Sequence, residues 1–234
     1  MARTKVISFD LDGTLFDNRF VDSVWLEEIP RLYSVEKGAS VDDARKTVKR
    51  EYDMVGKDRL EWYDIHYWIR RFGLNVEAKE LLRNFEHRIR AYPEVSNVLG
   101  QLKQRGFTLV VVTNAIREFV ELELEKADMK DCFERVFSST SDFGVVKKTV
   151  KLYRRVCDIL GVSPQEMIHV GDDRNFDFDV PRRLGILAFH LDRTGKHEGE
   201  FVIHSLEELN RKLKKSKLKA SETHPFGCSH ALFR

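Results

Sequence analysis

Five short runs of apolar, largely β-branched residues are spaced along the chain: VISF from residue 6, FTLVVVT (107–113), RVFSS (135–139), MIHVG (167–171) and ILAFH (186–190). Their apolarity is nearly continuous, the pattern of strands covered on both faces rather than strands with one wet side. The segments between them carry helical punctuation. PEVSNVLGQLKQRG (93–106) opens at a proline and closes at a glycine, as helices prefer. IREFVELELEKA (116–127) and TVKLYRRVCDILG (149–161) follow the same logic. Strand and helix alternate from residue 107 onward, which predicts an α/β fold with a doubly wound parallel sheet, a Rossmann-like core.

One interval, 16–91, breaks the alternation. It holds no convincing strand and is rich in aromatic and charged residues at helical spacing. In KDRLEWYDIHYWIRRFG (57–73), Trp62, Ile65, Ile69 and Phe72 fall on one helical stripe. The expected organisation is therefore a core made of 1–15 and 92–214, with a separate helical insertion, 16–91, after the first strand. On this phase Trp62 packs inside the insertion, Tyr63, His66 and Tyr67 are free to face a ligand, and Phe16 and Asn18 stand at the entrance to a site. SLEELNRKLKKSKLK (205–219) reads as a last helix running into a basic stretch, and 215–234 as a disordered tail. His224, Cys228 and His230 in that tail are too loosely spaced to specify a metal centre.

Forty basic side chains nearly cancel thirty-eight acidic ones in 234 residues. Charge thus gives no argument for a nucleic-acid or anionic-membrane partner. No run approaches the ~18 apolar residues of a membrane helix. Three scattered cysteines (Cys132, Cys157, Cys228) fit a reducing compartment rather than a disulfide framework. With a strand starting almost at once, no room is left for a signal peptide. A cytoplasmic protein is expected.

In an open parallel sheet, ligands bind beyond the carboxyl ends of the strands. The first strand ends in Asp10-Leu11-Asp12-Gly13-Thr14, the second in Thr113-Asn114, and the fourth in Gly171-Asp172-Asp173, with Asp177 and Asp179 close behind. Gly144-Val145-Val146-Lys147-Lys148 precedes the helix that leads to the fourth strand. Several carboxylates converging without His or Cys call for a hard cation, Mg²⁺ before Ca²⁺ or Zn²⁺. One aspartate can attack phosphorus, and a second can protonate the leaving oxygen and then activate water. Hydroxyl, amide and ammonium groups can hold the phosphoryl oxygens. Asp173 reads as an acid of the outer shell or a loop cap, and Asp179 as solvated or capping.

These motifs, DLDGT (10–14), VVVTNA (110–115), GVVKKTVKLY (144–153) and GDDRNFD (171–177), resemble in order the four motifs of the haloacid dehalogenase superfamily, over about residues 4–204. The resemblance implies a phosphatase with a helical cap over the substrate. It makes Asp10 the nucleophile and Asp12 the general acid/base, with Thr113 and Asn114 binding phosphate and Lys147 steadying the nucleophile and phosphoryl group. It also implies Mg²⁺ held by Asp10, Asp12 (through its backbone carbonyl) and Asp172, with Asp177 orienting the lysine or a metal-bound water. Two positions depart from the pattern. A proline usually follows the motif lysine; Lys148 stands there, and the spacing to Gly144 favours Lys147. The small pair expected after the fourth motif is Val180-Pro181.

Asp12 argues against dehalogenation, whose enzymes lack it. A phosphomutase uses the same residues and is the nearest alternative. A phosphorelay receiver, or a module using a stable phospho-aspartate, fits less well, because it needs neither the i, i+2 spacing of the acids nor an insertion. The expected partner is a small soluble phosphomonoester.

Overall fold

The computed structural model describes residues 5–222. Six strands, β1 (Val6–Phe9), β2 (Thr108–Thr113), β3 (Arg135–Ser138), β4 (Met167–Gly171), β5 (Leu187–Leu191) and β6 (Val202–Ile203), form one parallel sheet in the order β3-β2-β1-β4-β5-β6. β1 lies at its centre, with Phe9 opposite Val111 on one side and Val170 on the other. The carboxyl ends of β1, β2 and β4 therefore meet at the place where strand order reverses, the usual ligand crevice of such sheets.

The strands are continuous in apolarity because each face feeds its own core. Ile7, Phe9, Leu109, Val111, Ile168 and Val170 pack to one side; Val6, Val110, Val112 and Met167 pack to the other, against Leu152, Tyr153, Val156 and Cys157 of the helix Val150–Leu160. This is the two-residue alternation of a pleated strand with both sides covered.

Between β1 and β2 the described residues form helices and no strand of the sheet. Residues 19–37 are helical throughout, with a wider turn at Ser23–Glu28, and are followed by Val41–Val55, Ile65–Phe72 and Ala78–Asn84. The chain leaves and returns at one place. Asp17 donates its N–H to the Arg90 carbonyl, and Tyr92 donates to that of Leu15, both at 3.0 Å. Tyr52, Trp68 and Phe72 form the aromatic centre of this segment, with the Tyr52 and Trp68 rings 4.5 Å apart.

Helix phase within 57–73 differs from the sequence expectation. Asp64 accepts the His66 N–H and caps the helix, so the buried stripe is Ile65, Trp68 and Phe72. Trp62 belongs to the preceding turn, Leu60–Trp62, and is only partly buried. Phe16, expected at an entrance, is wholly buried. The terminal helix spans Leu206–Glu222, so the tail expected from residue 215 is helical as far as 222. The rest of it, with His224, Cys228 and His230, lies outside the described residues. Among the described residues no helix is long and apolar enough to cross a membrane.

Candidate active site

The turn after β1 is closed by backbone hydrogen bonds: the Leu11 carbonyl accepts from Leu15 at 2.7 Å, and Phe16 accepts from Gly13 at 2.7 Å. Gly13 has φ +75°, and a Cβ there would lie 2.2 Å from Asp172 Oδ2. Backbone conformation and the neighbouring carboxylate thus both demand glycine. Gly171 is equally constrained, because its Cβ would fall 2.4 Å from Asp177 Cγ. Two glycines let the loops after β1 and β4 press their acids into one space.

Asp10, Asp172 and Asp177 each place a carboxylate oxygen within 4.8 Å of the others. The cation between them comes from Lys148. Its Nζ is 2.6 Å from Asp10 Oδ1 and 2.5 Å from Asp177 Oδ1, and its side chain is 2% exposed. Lys147, the expected lysine, is not there. It turns outward to pair with Asp58, and its side chain is 44% exposed. Helix capping explains the difference. Thr149 accepts the Leu152 N–H and is the N-cap, which makes Lys148 the residue before the cap. From there its side chain reaches the end of β2, where Nζ also lies within reach of the Val112 carbonyl.

Asp177 has both oxygens engaged. Oδ1 receives Lys148 and His169 Nε2 (3.0 Å), and Oδ2 receives the Asp173 N–H at 3.1 Å. Burial opposes its ionisation, but Lys148 and His169 outweigh burial and hold the carboxyl down at about 2. His169 is buried in β4, and burial lowers its pKa, so the ring is neutral. Its Nε2 faces Asp177, and its Nδ1 is hydrogen-bonded with the Ser8 hydroxyl at 2.7 Å. A wholly buried chain, Ser8–His169–Asp177–Lys148, thus ends on Asp10. Neither Ser8 nor His169 was singled out in the sequence, where both read as ordinary strand positions.

For Lys148, burial favours losing the proton, but Asp10 and Asp177 raise its pKa above the ordinary lysine value. Burial pushes Asp10 up to about 6 against the pull of Lys148. Burial and then the charge of Asp10 push Asp12 up to about 7. Beyond Asp12 stands Glu123, on the helix Arg117–Lys126, fully buried and raised well above the carboxylate range by burial and then by Asp12. Asp12 Oδ1 and both Glu123 oxygens are buried without a hydrogen-bond partner, the setting in which a carboxyl keeps its proton. Asp172 opens onto the cavity, and desolvation on its protein side, followed by the Asp10 charge, pushes it up to about 8. Mutual repulsion among acids with only oxygen donors is the environment a hard cation relieves. Asp10 and Asp172 have oxygens free for such an ion, while those of Asp177 are taken.

Thr113 ends β2, and its Oγ1 accepts the Ala115 N–H at 3.1 Å. Ser139 fixes the Asn114 side chain by donating to Oδ1 at 2.7 Å, which turns the amide nitrogen away from that contact. Both residues line the same cavity as Asp10, Asp12, Lys148 and Asp172. Of the aromatic residues in the insertion, Trp25, Tyr52, Trp62 and Tyr63 line it too. His66 instead meets Glu118, and Tyr67 meets Arg71. Asp173 accepts from the Asn175 and Phe176 N–H groups, as a capping acid does, and Asp179 pairs with Arg174 at 3.6 Å.

Residues 4–185 match the family model described as haloacid dehalogenase-like hydrolase. The chain is 25% identical over 180 residues to the GMP/IMP nucleotidase YrfG of Escherichia coli, covering 77% of this chain and 79% of that one. It is 29% identical over 218 residues to the phosphoglycolate phosphatase of Vibrio vulnificus, covering 88% and 94%. Among solved structures, the HAD phosphatase from Thermococcus onnurineus superposes with a TM-score of 0.79 at 27% identity, covering 90% of this chain and 98% of that one. The chain belongs to the haloacid dehalogenase-like hydrolases.

Proposed function

We propose that this protein is a Mg²⁺-dependent phosphatase that cleaves a small soluble phosphomonoester through an aspartyl-phosphate on Asp10. It is a phosphoric monoester hydrolase, in line with its family and with relatives named as phosphatases. The observation that carries the finer reading is the placement of Asp10. One of its oxygens is held by Lys148, and the residue lines the cavity beside a second acid whose pKa lies near neutrality.

In the first step an Asp10 oxygen attacks phosphorus while Asp12 gives its proton to the departing alcohol oxygen. In the second, the Asp12 carboxylate takes a proton from water as that water attacks the same phosphorus, which frees phosphate and restores Asp10. Lys148 keeps the nucleophile oriented and ionised. Thr113 and Asn114 offer hydroxyl and amide groups to the phosphoryl oxygens. The donor set fits Mg²⁺ held by the carboxylates of Asp10 and Asp172 and by the Asp12 carbonyl. The ion would neutralise charge on the transferring group. The helical segment 16–91 acts as the cap that shields these steps from bulk water. Relatives named as phosphatases favour hydrolysis over return of the phosphoryl group to substrate.

Phosphate release from p-nitrophenyl phosphate tests this, with Mg²⁺ or with EDTA, for wild type and Asp10→Asn. Metal-dependent turnover abolished by the substitution is expected. Turnover that survives EDTA or Asp10→Asn would overturn the mechanism.

A further inference from the structure

The cavity over Asp10, about 560 Å³, lies within the roughly 300–1,000 Å³ of sites that enclose drug-sized ligands. Its floor is the charged set described above. Its walls are apolar and come largely from the helical segment. The Trp25 ring lies parallel to that of Phe119, at 6° and 5.7 Å between centroids. On the same wall Trp62 stands edge to face with Tyr63 at 4.9 Å, and Leu26 presents a side chain that leaves the residue 58% exposed. Trp25, Trp62 and Tyr63 are each only partly buried. An aromatic face kept partly open to a cavity is unfinished core, and a ligand finishes it.

Charge on these walls narrows the ligand further. Two cations line the cavity, Lys148 and Arg174. Lys148 is fixed between Asp10 and Asp177, and Arg174 pairs with Asp179 and lies 4.3 Å over the Phe178 ring. Against them stand Asp22 and Asp173, both lining the same space. A leaving group bearing a second anion, such as the carboxylate of phosphoglycolate, would meet Asp22 and Asp173 on these walls, while Lys148 is already held by two acids. Such a two-carbon group would also leave most of the aromatic wall uncovered.

We infer that the alcohol released from the substrate carries a planar, uncharged aromatic ring that stacks in the space bounded by Trp25, Trp62 and Phe119. The inference rests on the phosphatase reading and specifies its substrate class. A nucleoside monophosphate and an aryl phosphate share this chemistry and differ in the sugar that spaces ring from phosphate.

Steady-state kcat/KM is measured for a purine nucleoside 5′-monophosphate, phenyl phosphate, phosphoglycolate and acetyl phosphate, the last an activated acyl phosphate whose small leaving group, acetate, carries no ring. Wild type, Trp62→Ala, Trp62→Phe and Trp25→Ala are compared, with a thermal melt for each. At least one aromatic ester is expected to exceed phosphoglycolate by about tenfold or more. The ratio of that ester to acetyl phosphate is expected to fall about 5- to 100-fold in the alanine variants, the span of one base stacked on one aromatic side chain. Trp62→Phe, which keeps a ring, is expected to restore most of that ratio. A preference for the nucleotide over phenyl phosphate identifies the spaced ring, and the reverse identifies the directly attached one. Phosphoglycolate preferred over both, or a ratio unmoved by the alanine variants, overturns the inference. Absence of turnover with all four, acetyl phosphate included, would instead refute the phosphatase reading itself.

Discussion

Replacing Lys148 with methionine separates the buried ionic chain from a surface pair one residue away. Methionine keeps an unbranched stem and removes the ammonium. In the native site that ammonium lies 2.6 Å from Asp10 and 2.5 Å from Asp177. At an effective dielectric near 20, each contact corresponds to about 6 kcal/mol of attraction. Desolvating each buried ion costs several kcal/mol, so the net is far smaller than the sum. Removing one partner of a buried pair typically destabilises by about 3–5 kcal/mol, because the other charges are stranded. For a chain of this size that corresponds to a fall in Tm of roughly 6–20 °C. Lys147→Met breaks one pair whose partner, Asp58, is 80% exposed, and such pairs contribute about 0–1 kcal/mol. Phosphate release should fall about 10²–10³-fold in Lys148→Met, as when one preorganised donor is lost from a reacting site, and stay near wild type in Lys147→Met. Acidity supplies a second check. The depressed carboxyl of Asp177 contributes stability above its unfolded pKa near 3.8, lost as pH falls towards about 2. The raised ammonium of Lys148 contributes below the ordinary lysine pKa and is lost only in strong alkali. The gap between wild type and Lys148→Met should therefore be wide at pH 7 and narrow below about pH 4. Equal melting temperatures for the two lysine variants, or activity lost only in Lys147→Met, would refute the assignment.

Gly13→Ala is expected to fold less stably and to lose most activity, because φ +75° and the 2.2 Å approach to Asp172 both exclude a methyl group; phosphate release and a thermal melt read the two effects. Trp68→Ala empties a wholly buried site and should cost about 3–5 kcal/mol in urea unfolding. Without metal, Asp10, Asp12 and Asp172 bind protons more tightly folded than unfolded, so chelated protein should melt higher at pH 5.5 than at pH 8. Added Mg²⁺ should raise Tm more at pH 8 than at pH 5.5, since the same carboxylates must be ionised to hold it; a shift independent of pH would count against their being its ligands.

Where burial was total, the sequence was easy to read. β1, β2 and β4 show as apolar runs because both faces are covered, and the loops that follow them bring Asp10, Asp12, Thr113, Asn114, Asp172 and Asp177 to one crevice. β6 was invisible: two residues, Val202–Ile203, within a polar stretch carry no periodicity. Two adjacent lysines are chemically identical, and only the Thr149 cap decides which one turns inward. Trp62 was placed on a helix because the apolar stripe was extended one turn too far, past the Asp64 cap. Glu123 hides in ELELEK (121–126), where alternating acids suggest a wet face, yet the helix turns it inward towards Asp12 and buries it. His169 lies in a strand whose neighbours are all apolar, so nothing local marks its contact with Asp177. In each missed case the deciding partner is distant in sequence or depends on a cap.

Floor and wall of the cavity differ in what a substitution does to them. The floor consists of side chains with fixed partners: Asp10 on Lys148, Lys148 on Asp177, Asp177 on His169, and Gly13 against Asp172. Each change there strands a buried charge or forces a clash, the costly mechanisms of destabilisation. The wall is built from residues 21–63 together with Ile116 and Phe119. Its leading members, Trp25, Leu26 and Trp62, are partly open and donate no hydrogen bond to the floor. Changing them alters shape and apolar area while leaving the ionic chain intact, so the cost in stability is small. On the proposed reading, chemistry and choice of substrate fall to separable parts of the chain. Substitutions at Leu26 and Trp62, partly open members of the wall, should move KM and substrate preference with little change in Tm, whereas substitutions in the floor should lower kcat and Tm together.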